Sequence, residues 1–75
     1  MKIRFSRHAK RRTKLYKIQE STITNILNSI DLPQGEHEIT KDVKGLTCPL
    51  KIVVYVEDDI ITVITNYPLK KKVQK

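Results

Sequence analysis

A chain of 75 residues with a formal net charge of +7 makes one small basic domain. At this size only about 60% of the unfolded surface is buried on folding, which excludes a deep enclosed pocket for a large organic cofactor and leaves a shallow site on a sheet or groove. With one Phe, three Tyr and no Trp, recognition by stacking bases on aromatic platforms is disfavoured as well.

The charge sits at the two ends. Residues 1–17 hold eight bases, one histidine and no acid, and residues 70–75 add four lysines, so the ends carry twelve of the fifteen bases. All eight acids lie between Glu20 and Asp59, with only Lys41, Lys44 and Lys51 among them. If the two ends meet in the fold they form one basic face, and a polyanion is its natural partner, because each phosphate neutralised by Lys or Arg releases a condensed counterion.

Ile3, Arg4 and Phe5 read as a short opening strand. Ser6 is an N-cap candidate for a helix over 7–16. That helix is polar nearly all round: Ala9, Thr13 and Tyr16 form one stripe, and His8, Arg11, Arg12 and Leu15 lie together on the next. Such a helix packs weakly and presents its side chains to solvent. The second helix is clearer. Ile23, Ile26, Leu27 and Ile30 follow the three–four spacing of an apolar stripe, Gln19 stands at the cap, and Ile18 and Ile23 occupy the two positions of a hydrophobic staple. Pro33 and Gly35 end it.

From Glu36 onward the pattern is that of strands. Ile39 and Val43 share a face, Lys44-Gly45 suggests a turn, and Leu50 to Val56 is nearly continuous in β-formers, as in a central strand. Glu57-Asp58-Asp59 makes a hairpin turn into a last strand, Ile60 to Tyr67, in which alternation groups Ile61, Val63, Thr65 and Tyr67 on one face. The expected fold is α+β over residues 1–69: a short N-terminal strand and two helices packed on one face of a small antiparallel sheet, followed by a basic tail at 70–75.

Chemistry is narrowly distributed. The lone cysteine, Cys48, allows no intramolecular disulfide and fits a reducing, cytoplasmic setting. The start of the chain lacks the apolar run of a secretory signal, and no stretch approaches a membrane span. No His, Cys and Asp spacing suits a metal, His37 between two glutamates reads as a solvated strand start, and two glycines cannot build a phosphate loop. No cofactor or metal is expected.

Phe5-Ser6-Arg7-His8-Ala9 followed by Arg12 and, six residues on, Ile18 resembles the F-S/T-x-H-A-x-x-R opening of a small bacterial and archaeal family filed as a domain of unknown function. Val63-Ile64-Thr65-Asn66-Tyr67 is similar to that family's closing V-I-T-x-Y strand. Thr13, Tyr16 and Lys17 stand where that family often has a Met, a second arginine and a glycine. The order of elements also resembles that of RelE-like and BrnT-like ribonuclease toxins, a likeness of fold and not of site. It implies an RNA-directed protein, a metal-independent endoribonuclease of toxin type being the sharpest form. Such cleavage needs a base for the 2′-OH, a cation for the phosphorane and an acid for the leaving 5′-oxygen. His8 and Arg12, one turn apart, and Tyr67 are the catalytic candidates. Arg7, Lys10, Arg11, Lys14, Thr65 and Lys70 are the candidates for nucleic-acid contact. Against these stand plainer readings: His8 as a cap or packed residue, the arginines as a solvated face, Tyr67 as an edge packer. A non-catalytic nucleic-acid-binding module is the alternative, and an interaction protein docking an acidic, antitoxin-like partner is the third reading. The chain is expected as a monomer or, through an exposed strand edge, a homodimer.

Overall fold

The structure is a computed structural model that describes residues 2–43, 45 and 48–69. Strand β1 (Lys2–Phe5) runs into helix α1 (Arg7–Leu15); α2 (Glu20–Asn28) follows, then strands β2 (Gly35–Lys41), β3 (Leu50–Glu57) and β4 (Ile60–Pro68). The strands form one sheet in the order β1-β4-β3-β2. The core lies between one face of this sheet and the helices: Leu50, Ile52, Val54, Val56, Ile61 and Val63 from the sheet meet Ala9, Ile23 and Leu27 from above. The α+β architecture is therefore as expected, with one correction. The sheet is mixed, because β1 pairs with β4 in parallel while β2–β3 and β3–β4 are antiparallel. Two reversals of the chain return β4 to the direction of β2, and the helical crossover between the two sheet edges lays β1 in that same direction.

Ser6 caps α1 as its residue type suggests, its hydroxyl accepting a bond from the Ala9 amide at 3.0 Å. The helix rests on β4 through small side chains, Ala9 and Thr13, both buried. Thr13 meets its own burial cost by donating its hydroxyl to the Lys10 carbonyl at 2.7 Å. At the other end the Lys17 amide bonds the Lys14 carbonyl and the Ile18 amide the Thr13 carbonyl. This is a Schellman closure, and it forces Lys17 into the left-handed region at φ 56°. Ile18 then turns into the core and joins Ile23 as the expected staple. Gln19 holds the cap position of α2 without a side-chain cap bond.

In β3 buried and more open residues alternate without a break from Leu50 to Glu57. In β4 they do not. The register pairs Val54 with Val63 but Val53 with Thr65, so Ile64 is an extra residue, a β-bulge. Strict alternation from Ile61 to Tyr67 is thereby overturned: Ile61, Val63 and Asn66 face the core, while Thr65 and Tyr67 move to the opposite face, which no described helix covers. The sequence conceals this because, Asn66 apart, both faces of β4 are built from good strand formers, so alternation alone does not fix the phase. The β3–β4 turn places Asp58 at φ 57°, and Gln34 clamps it, accepting from the Asp58 amide at 3.0 Å and donating to its carbonyl at 3.3 Å. The expected turn at Lys44-Gly45 falls partly outside the described residues; Gly45 has φ 95°.

Candidate nucleic-acid interface

Helix α1 carries Arg7, Lys10, Arg11, Arg12 and Lys14 and no acid. With Ala9 and Thr13 turned inward, the 100° step places Arg7, Arg11 and Lys14 along the outward stripe, with Lys10 on one flank and His8 and Arg12 on the other. Arg7, His8, Lys10, Arg11 and Lys14 are exposed, and Arg12 is half-buried. Among the described residues the one salt bridge is Lys51–Glu38, far from this helix, so none of its cations is neutralised by a carboxylate. Arg7 at the first helical position also meets the positive end of the helix dipole, an arrangement that an anion relieves.

The flank is ordered by hydrogen bonds along the helix axis. Arg12 Nε donates to His8 Nε2 at 3.3 Å, and Arg12 Nη1 donates to the Tyr16 hydroxyl at 3.1 Å. The i, i+4, i+8 spacing makes this possible, since each residue lies one turn above the last. In this geometry His8 Nε2 accepts, so the ring carries its proton on Nδ1. Arg12 thus holds a base on one side and a phenol on the other, with its remaining guanidinium N–H groups available to an anion.

Two contacts fix this helix to the sheet. The Ser6 hydroxyl, besides capping α1, donates to the Ile64 carbonyl at the bulge at 2.9 Å, and the Ser6 amide bonds the Val63 carbonyl at 3.0 Å. One turn further, Asn66 Nδ2, fully buried, donates to the Ala9 carbonyl at 3.3 Å, while Asn66 Oδ1 has no partner. The bulge thus has a local consequence: it turns Asn66 inward to meet α1.

It also separates the sequence candidates. His8 and Arg12 come together, with Arg7, Lys10, Arg11 and Lys14 on the same helix. Tyr67 does not join them. It stands opposite Lys51 on the uncovered sheet face, and Thr65 stands opposite Val53 on that face. There Lys51 Nζ lies 2.8 Å from Glu38 Oε1. The Glu38 carboxylate raises the Lys51 pKa above the ordinary lysine value, burial opposes the rise, and the Tyr67 hydroxyl supports it. Lys70 lies outside the described residues. The residues that sequence reasoning missed are Tyr16, Ser6 as a bridge, and Asn66. Only Tyr16 left a usable signal, its place two turns from His8 through Arg12.

Among the described residues no three His, Cys, Asp or Glu side chains gather as a metal site, and no helix is long and apolar enough to cross a membrane. Compared with known protein families, curated proteins and solved structures, the chain matches none of them. Function is therefore read from the residues themselves.

Proposed function

We propose that this protein is RNA-directed and grips the phosphate backbone with the outward face of α1. The observation that carries this is the set of five cations on one nine-residue helix, none of them paired with a carboxylate among the described residues. A stripe of this kind exchanges condensed counterions for phosphate contacts, the main source of affinity for a nucleic-acid backbone. The likeness of element order to RelE-like and BrnT-like toxins points the same way. Fluorescence anisotropy with a single-stranded RNA tests it. Each lost contact lowers the slope of log K against log salt by about 0.7. Replacing Arg7, Arg11 and Lys14 together by Ala is therefore expected to flatten the slope by about 2. An unchanged slope refutes the assignment, and indifference to RNA in the intact protein moves the case to an acidic protein partner.

A second reading, endoribonuclease activity, is favoured by the Arg12–His8 contact. Here Arg12 turns its guanidinium onto the scissile phosphate, which frees the His8 Nε2 lone pair to take the 2′-OH proton. The 2′-oxygen bonds phosphorus, and the 5′-oxygen leaves with a proton. With Tyr67 on the other side of the sheet, Tyr16 is the phenol beside Arg12 that can donate it. Cleavage lost in His8→Ala while binding persists supports this reading; cleavage by both forms, or by neither, ends it.

A further inference from the structure

We propose that the uncovered face of the sheet is a homodimer interface, in which a second copy of this chain packs face to face about a two-fold axis parallel to the strands. This face is polarised from edge to edge. Arg4 pairs with Thr62, Thr62 with Tyr55 and Tyr55 with Glu36, so one row crosses the whole sheet from a cation on β1 to an anion on β2. Three strand spacings separate its ends, about 14 Å. The neighbouring row runs from Lys2 through Ile60 to Glu57 with the same polarity. On the other side of the first row, Glu38 is paired with Lys51.

Among the described residues of this face, three acids, Glu36, Glu38 and Glu57, therefore balance three bases, Lys2, Arg4 and Lys51. The chain as a whole carries +7. Two copies meeting through their α1 faces repel; through this face the described residues bring together no net charge. Between the charged edges lie Val53, Tyr55, Thr62, Thr65 and Tyr67, with Tyr55 44% exposed.

The symmetry follows from the polarity. A two-fold axis parallel to the strands inverts the strand order, so that β1 of one copy lies over β2 of the other and Arg4 faces Glu36 twice. An axis across the strands would set Arg4 against Arg4. Only the first arrangement is attractive, and it matches the aligned packing of sandwiched sheets. Each charge keeps an opposite neighbour: Lys51 brings Glu38 with it, and Glu57, one strand in from the edge, faces Ile60 of the other copy with that copy's Lys2 on the adjoining strand. Four strands by seven residues make a face of about 19 by 24 Å, roughly 450 Å² per copy, small against the ~800 Å² of a standard interface. The dimer is accordingly weak and leaves both α1 helices on its outer surfaces, so it stands independently of the RNA reading.

Sedimentation equilibrium from about 10 μM to about 1 mM is the test, with circular dichroism to confirm that each variant folds. The intact chain is expected to shift from monomer to dimer within that range. Arg4→Glu alone and Glu36→Lys alone each set like charges opposite one another twice, and weaken association about tenfold or more. The double variant Arg4→Glu/Glu36→Lys, whose net charge equals that of the parent, returns to within about threefold of it. An equimolar mixture of the two single variants forms a heterodimer. A strictly monomeric parent overturns the proposal, as does a dimer that the single variants leave unchanged or that the double variant fails to restore.

Discussion

Replacing Ser6 by Ala tests how the candidate site is anchored. The hydroxyl makes two bonds, accepting from the Ala9 amide at 3.0 Å and donating to the Ile64 carbonyl at 2.9 Å. Loss of a serine cap costs about 1 kcal/mol. The second bond is exposed; water can replace it, so its net contribution is nearer 0.5 kcal/mol. The sum is about 1.5 kcal/mol, a large share of the few kcal/mol by which a domain of this size is stable. For 75 residues the unfolding entropy is about 0.16 kcal/mol/K, so the melting temperature falls by about 9 °C. Urea titration followed by circular dichroism gives the free energy, and a thermal scan gives the shift. Ser6→Gly, which retains most of the cap but not the bridge, is expected to lose about half as much, and Ser6→Thr about 0.5 kcal/mol or less. If Ser6→Ala costs under about 0.5 kcal/mol, Ser6 does not hold α1 to the bulge as described.

Asn66→Ala removes the bond to the Ala9 carbonyl and opens a small void, a loss of about 2 kcal/mol; Asn66→Leu, which removes the same bond and the same unpartnered oxygen but fills the void, costs under about 1 kcal/mol in the same urea titration. Equal losses from the two would refute the accounting. Lys17→Gly relieves a left-handed residue at φ 56° and raises stability by about 0.5–1 kcal/mol, measurable by thermal melting. Because the Lys51 pKa is raised in the folded state by Glu38, the stability it contributes is fully present below the ordinary lysine range. That contribution is lost as pH rises through the folded value. Denaturation curves collected above about pH 9.5 should therefore show the parent losing more stability than Glu38→Gln; parallel losses would mean that the pair contributes nothing.

Much of the fold was legible because local chemistry and tertiary structure agree. Ser6 could only be read as a cap. The stripe of Ile23, Ile26 and Leu27 could only face inward, and Leu50 to Val56 had the composition of a central strand. The five cations of α1 were legible too, since a helix with only Ala9 and Thr13 to bury must turn the rest to solvent. His8 and Arg12 at one-turn spacing followed from helix geometry alone.

What the sequence by itself determined is thus the element order, the inward stripes and the cationic outer face of α1, all set by the 3.6- and two-residue periods of the backbone. What only the tertiary structure decided is on which side of the sheet each end of β4 points. One extra residue, Ile64, reverses the phase: it sends Asn66 under α1, and Tyr67 away from His8 to Lys51. No local rule foretells this, because, Asn66 apart, both faces of β4 are composed of residues at home in a strand. At this bulge the amide of Asn66 and the hydroxyl of Ser6 bind α1 to the strand.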